Sequence, residues 1–379
     1  MTTSVPFAAP HALFLLAVLS ASIVAEDNVQ CPLDWIRPSP EGTHFVLTGS
    51  SEPIVMWGVN YDHDGEGRLL EDYWQNEWET VVEDFREIKA LRANVVRIHL
   101  QVAHFLNDPE TPNKVGLAQL ARLVNLAEEA GLYLDITGLA CYHKQDVPKW
   151  YDELDEQARW NAQAQFWRTV ADVCKDSAAI FCYDLMNEPI LPGKKVETEW
   201  LAGEFGGKYF VQRISLDLAG RPRNQVAREW VKQMAAAIRQ VDDHHMITVG
   251  VIPWALTFRG AKPLFYSPEV RAPLDFVSVH FYPRKNKVAD ALEALRVYEV
   301  GKPLVIEEMF PLRCGIDELE EFVQKSRDHV DGWISFYWGQ TIEDYRRKDD
   351  LRSSLVASWL ERFQTISPVL EQVSDHGDR

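Results

Sequence analysis

Residues 94–100, NVVRIHL, and 132–138, LYLDITG, are two β-rich runs, and between them Leu117, Leu120, Ala121, Val124 and Ala127 recur at helical spacing. Runs this apolar suit strands covered on both faces, and a helix between two of them makes their pairing parallel. The same unit repeats outward in both directions. Further strand candidates are 54–60, 179–186, 246–251, 275–281, 303–307 and 332–337. Helical spacing returns at Trp78, Val81, Val82, Phe85 and Ile88, at Val226, Trp230, Met234, Ile238 and Val241, and at Val288, Ala291, Leu292, Leu295 and Tyr298. It returns again at Ile316, Leu319, Phe322 and Val323, and at Leu351, Leu355, Trp359 and Phe363. After the fifth strand, Pro253, Pro263, Pro268 and Pro273 leave room only for a short helix. Eight strands alternating with helices predict an α/β fold, a (β/α)8 TIM barrel in one domain. Residues 44–60, HFVLTGSSEPIVMWGVN, add a short β-hairpin before it. A doubly wound open sheet is the alternative. It usually carries a Gly-rich phosphate turn after the first strand, and GVNYDH at 58–63 offers none.

The 379 residues suit one barrel with long loops, and 46% apolar with 25% charged residues is a globular composition. Thirty-nine basic against fifty-seven acidic side chains give 39 − 57 = −18, a field that repels phosphate backbones and anionic membranes, so nucleic acid is disfavoured as a partner. The apolar run at 12–25, ALFLLAVLSASIVA, is shorter than the ~20 residues of a membrane span. It reads as the core of a signal peptide at 1–25, leaving a mature chain of 26–379 that is secreted or periplasmic, with an uncleaved anchor as the rival. Five cysteines do not make a disulfide scaffold. Cys174 and Cys182 flank a helix-to-strand turn and either pair or stay as buried thiols.

In a barrel of this kind the active site lies at the C-terminal strand ends. Those ends carry Asn60, Tyr61 and Asp62; Arg97 and His99; Asp135 and Thr137; Asn187 and Glu188; His280 and Tyr282; Glu307 and Glu308; and Trp338. Two carboxyls facing each other across a barrel mouth are what glycoside hydrolysis needs, one to protonate the leaving oxygen and one to attack carbon or activate water. An Arg and a Tyr beside one of them hold it ionised, and Arg97 and Tyr282 are the candidates. Local pattern does not decide between Glu307 and Glu308, and Glu307 is expected to make an outward ion pair.

Taken in order, FVLTGSSEPIVMWGVNY at 45–61, NVVR at 94–97, LMNEP at 185–189, HFY at 280–282, KPLVIEE at 302–308 and YW at 337–338 resemble glycoside hydrolase family 5 of clan A, the cellulase and mannanase group. The resemblance spans about 40–365. It implies a retaining double displacement with Glu188 as acid/base and Glu308 as nucleophile, the Lys-Pro pair selecting Glu308 over Glu307. Asn187 would hold the sugar 2-hydroxyl, Arg97 and Tyr282 would bond to Glu308, His280 would contact substrate or the carboxylates, and Trp338 would floor the reacting subsite. The family's third strand commonly ends in His where this chain has Thr137, and His143 is the residue that could reach back.

The expected protein is therefore a cofactor-free, monomeric retaining hydrolase of a β-linked glycan, with no metal and no membrane contact in the mature form. The IEE sequence at 306–308 inclines the reading to β-1,4-mannan over β-glucan. A transglycosylase differs only in the acceptor, and a non-catalytic carbohydrate-binding barrel is the rival from another class. Among thirteen Trp, the core explains Trp57, Trp333, Trp230 and Trp359, whereas Trp338, Trp74, Trp78 and Trp200 are expected at the mouth to stack on sugars.

Overall fold

The computed structural model describes residues 1–2 and 33–368. Beyond its first two residues, the expected leader at 1–25 lies outside the described residues. The barrel strands are β1 (Met56–Asn60), β2 (Val95–Gln101), β3 (Tyr133–Ala140), β4 (Ile180–Asp184), β5 (Met246–Thr248 and Gly250–Val251), β6 (Val277–His280), β7 (Leu304–Met309) and β8 (Gly332–Ser335). All expected strands are present, with ends shifted by one or two residues where strands give way to loops. The sheet runs in chain order with parallel neighbours, β8 closes onto β1, and its two ends are the two halves of β5. The interruption at Val249 has a visible cause: the Tyr266 hydroxyl donates to the Val249 carbonyl (2.5 Å) and accepts from the amides of Val249 (3.3 Å) and Ser278 (2.8 Å).

Helices cover the outside. Trp78–Ala90, Lys114–Ala130, Glu156–Cys174, Arg223–Arg239, Val288–Leu295, Ile316–Ser326 and Leu351–Thr365 follow seven of the strands, and only Trp254–Thr257 follows β5, as the prolines require. Their ends are set locally: Asn113, Asp155 and Asp350 accept from amides of the first turns, and Gly131 ends its helix in the left-handed region at φ 63°. Trp57, Trp230, Trp333 and Trp359 are buried among these helices and strands. Cys174 and Cys182 are buried free thiols.

The expected hairpin is part of a three-stranded antiparallel sheet, Ile36–Pro38, Phe45–Leu47 and Pro53–Ile54. Its Phe45 meets Phe181 and Phe276 edge-on at 5.2 and 5.3 Å and closes the N-terminal end of the barrel together with Met56, Val95 and Ile334. At the opposite end, the loop after β4 folds into a second small sheet: Leu201–Phe205 and Lys208–Arg213 pair through a turn at Gly206 and Gly207 (φ 60° and 82°), and Lys208–Arg213 also pairs with Pro189–Ile190.

The loop after β1 is tied to the end of β2 by a buried carboxyl. Glu71, 5% exposed, accepts from the Gln101 amide at 2.7 Å through one oxygen, and among the described residues its other oxygen meets no donor. Burial pushes this carboxyl up to about 8 from an ordinary 4.5. The folded state therefore keeps a proton that the unfolded chain has released between those values, and stability falls as pH rises through that window by up to ~1.4 kcal/mol per unit. Glu71→Gln keeps the acceptor and stays neutral. It is expected to match the wild type near pH 4.5 and to unfold at higher urea than the wild type at pH 8.5; equal midpoints at pH 8.5 would show that burial does not raise this carboxyl.

Candidate active site

Arg97, in the middle of an entirely buried β2, is the hub of the barrel mouth. Its Nη1 donates to Asn60 Oδ1 and to Glu308 Oε1, each at 2.9 Å, and its Nη2 donates to Asp184 Oδ2 and to Asn187 Oδ1, each at 2.8 Å. Glu307 Oε2 stands 3.7 Å from Nη2. A rigid five-donor fork suits such a site, because each bond fixes the orientation of a different strand end. Tyr282 donates its hydroxyl to Glu308 Oε2 at 2.6 Å. His280 Nδ1 lies 3.0 Å from Glu188 Oε1 and 3.4 Å from Glu308 Oε1, and an oxygen of each glutamate falls within 4.8 Å of the other.

Backbone irregularity puts these groups where they are. β7 carries one residue more than its neighbours across Glu307 and Glu308: Val279 and His280 pair with Ile306 and Glu308, and Ile306 and Met309 pair with Trp333 and Ser335. Such a bulge breaks the in/out alternation of a strand. Glu307 is accordingly buried inside the barrel, and the outward ion pair expected for it is replaced by inward contacts with Arg97 and His280. Glu188, just beyond β4, has φ 46°, uncommon for a non-glycine residue, and its amide donates to the Gly250 carbonyl at 2.9 Å. Asn187 is held from both ends, accepting from Arg97 and donating to the Phe210 carbonyl at 2.9 Å, which leaves one amide hydrogen for a ligand.

Burial and mutual charge set the electrostatics. Burial raises Asp184, with Glu307 adding to it, to about 6, and burial with Glu307 and Asp184 raises Asp135 well above its ordinary range. Burial works to raise Glu307 as well, but Arg97 and His280 bring it below the usual range. Burial raises Glu308, while His280, Arg97 and the Tyr282 hydroxyl act against that shift. His99, lowered by burial and by Arg97, is neutral: its Nε2 donates to Asn60 Oδ1 at 3.0 Å and its Nδ1 meets the Tyr142 hydroxyl.

Several expected placements change. Trp338 is 1% exposed and packs edge-on against Tyr61, so its ring is not open to a sugar; the ring left half-buried at the end of β8 is Phe336, beside Phe210 and His63. Trp74 and Trp200 are 3% and 5% exposed, against Phe105 and Arg159 respectively, and Trp78 lies under Arg122. Trp74 and Trp200 fasten loops, and Trp78 joins the first outer helix to the second. Thr137 donates to Asp184 Oδ2 at 2.9 Å, and His143 faces a rim pocket with His104, Asp72 and Asp146 instead of reaching back. Asp184 and Tyr142 are not among the expected site residues. The signal for Asp184 is a carboxylate closing the otherwise apolar run IFCYD, and Tyr142 has no such signal.

An eight-stranded parallel barrel whose mouth gathers paired glutamates around Arg, His and Tyr defines the class of glycoside hydrolases built on the TIM barrel. The chain belongs to glycosyl hydrolase family 5, whose cellulase model matches residues 48–340. Among solved structures it is similar to an exo-β-1,4-mannosidase from Opitutaceae bacterium strain TAV5, at 15% identity and TM-score 0.63 over 86% of this chain and 60% of that one. The chain thus spans about three-fifths of the mannosidase. It is also similar to the β-1,4-mannanase of the sea hare Aplysia kurodai (16% identity, TM-score 0.57, 84% of this chain and 94% of that one). The β-mannanase of the blue mussel Mytilus edulis is another (14%, 0.56, 89% and 98%). At these identities the likeness is one of fold. A search of curated proteins finds no match. Among the described residues no helix is long and apolar enough to cross a membrane.

Proposed function

We propose that the chain is a retaining β-glycosidase of a β-linked plant-type polysaccharide or its oligosaccharides, with β-1,4-mannan as the preferred substrate. The observation that carries the reading is the pair Glu188 and Glu308, with oxygens within 4.8 Å and His280 between them. Retaining enzymes hold their carboxyls about 5 to 5.5 Å apart, whereas inverting ones need about 6.5 to 9.5 Å to admit a water. In the first step an oxygen of ionised Glu308 bonds to the anomeric carbon, the glycosidic C–O bond breaks, and Glu188 gives its proton to the departing oxygen. In the second, water attacks that carbon, its proton passes to Glu188, and Glu308 leaves as a carboxylate. Arg97 and Tyr282 aim the nucleophile and hold its charge. Asn187, with one amide hydrogen free, bonds the 2-hydroxyl, and Phe336 takes the flooring role expected of Trp338.

The mannan preference is supported by IEE at 306–308 and by mannan-active enzymes among the structural neighbours. A screen on mannan, glucomannan, carboxymethyl cellulose and aryl β-glycosides, with product sizing, is expected to give the fastest turnover on mannan. Faster cleavage of carboxymethyl cellulose would move the assignment to β-1,4-glucan. Binding without turnover on every substrate would make the barrel a carbohydrate-binding protein.

A further inference from the structure

Glu307 and His280 stand out because both are wholly buried, ionisable and one step removed from the reacting carboxyls. Both ring nitrogens of His280 face carboxylates: Nδ1 faces Glu188 at 3.0 Å and Glu308 at 3.4 Å, and Nε2 faces Glu307 Oε2 at 3.7 Å. Among the described residues no hydrogen-bond donor is aimed at Nε2. A neutral imidazole has a lone pair on one nitrogen and would have to direct it at a carboxylate. Only the doubly protonated ring presents N–H to both sides. Gly250 makes the approach possible, since a Cβ there would stand 2.8 Å from both Glu307 Oε2 and His280 Nε2 and 3.1 Å from Asp184 Oδ2.

We infer that Glu307 is a positioning residue for the reaction, holding His280 as an imidazolium between Glu188 and Glu308. The inference rests on the reading of those two glutamates as acid/base and nucleophile. The charged groups facing His280 are Glu188 and Asp184 from β4 and its loop, Glu307 and Glu308 from β7, and Arg97 from β2, with neutral His99 beside Arg97. Burial acts to neutralise the ring, yet Glu308, Glu188 and Glu307 together push it up to about 10. Of the three, Glu307 keeps its charge through the cycle, because Glu188 passes a proton and Glu308 becomes an ester. The imidazolium then offers Nδ1–H to Glu188 just as that side chain becomes a carboxylate, which favours proton delivery to the leaving oxygen.

Glu307→Gln keeps the shape and removes the charge. Nitrogen-15 NMR of the wild type is expected to show His280 cationic through pH 8, and in the variant to show it titrating near an ordinary histidine value of about 6.5. On an aryl β-glycoside, the variant's His280 is neutral above about pH 6.5 and no longer holds Glu188 down, so the basic limb of the pH profile should move to higher pH by about one unit, while the acidic limb, where the ring is still protonated, should not rise. The same variant should lose ~10-fold in kcat with KM held within about 2-fold, because Glu307 does not reach the sugar. Glu307→Asp should restore the wild-type profile. A Gln variant whose profile superimposes on the wild type, whatever its stability, would reduce Glu307 to a packing role, and a wild-type His280 found neutral at pH 7 would overturn the inference without any variant. The NMR measurement needs no turnover, so a chain that cleaves no β-glycoside yet holds His280 cationic would sink the functional reading alone.

Discussion

Glu308→Ala is expected to abolish hydrolysis of an activated aryl β-glycoside, with added azide restoring consumption of the substrate and an α-glycosyl azide as the product. The stereochemistry follows from the position of Glu308. Its side chain is held by Arg97 and Tyr282 from one side of the mouth, with Glu188 within 4.8 Å on the other. With Glu308 in the proposed role, removing it opens a space on the face from which the anomeric carbon would be attacked. Azide there forms the C–N bond as the aryl oxide leaves, so the centre inverts once. The converse variant, Glu188→Ala, keeps the nucleophile and loses the proton donor. It should still form the glycosyl-enzyme from a good leaving group, lose activity on a poor one, and with azide give the β-product by two inversions. Product configuration, read by proton NMR, thus assigns each glutamate independently of rates. A β-azide from the Glu308 variant would mean that the two roles are exchanged.

What could be read from residues alone follows a physical divide. Periodicity reports which face of an element is buried, and it placed all eight barrel strands and the short element after β5. It assumes regular alternation, so it fails where a bulge inserts a residue. An outward ion pair is the expectation for Glu307, and the extra residue in β7 turns it inward together with Glu308. Aromatic surplus is a weaker guide: Trp74 and Trp200 can be sugar platforms or rings that hold long loops down, and burial shows the second, while Trp338, expected as a sugar floor, is buried as well. The contacts of Arg97 with Asp184 and Asn187 span 87 and 90 residues, and no local pattern reports which buried partners converge on one cation.

Arg97→Met tests that convergence most severely. The side chain is wholly buried, and with it gone, among the described residues, Asp184 retains Thr137 Oγ1 (2.9 Å) and the Gly250 amide (2.7 Å), Glu308 retains Tyr282 and His280, and Glu307 retains His280 and the Ser278 hydroxyl. Breaking a buried ion pair by removing one partner typically costs about 3–5 kcal/mol, because the remaining charges keep their desolvation penalty without the compensating attraction. The fold can lower that cost by protonating Asp184 or Glu307, which raises their folded-state pKa values above the unfolded ones. Such groups bind more protons folded than unfolded, so the variant should lose stability as pH rises and be measurably firmer at pH 5 than at pH 8. Arg97→Lys supplies the charge without the fork. It should recover most of the stability yet leave Glu308 poorly aimed, with kcat/KM down by roughly 100-fold. Urea unfolding at the two pH values, followed by circular dichroism, separates the cases. A methionine variant as stable as the wild type at pH 8 would show that the carboxyls around Arg97 are already neutral, and the site would then need a different account of how Glu308 stays ionised.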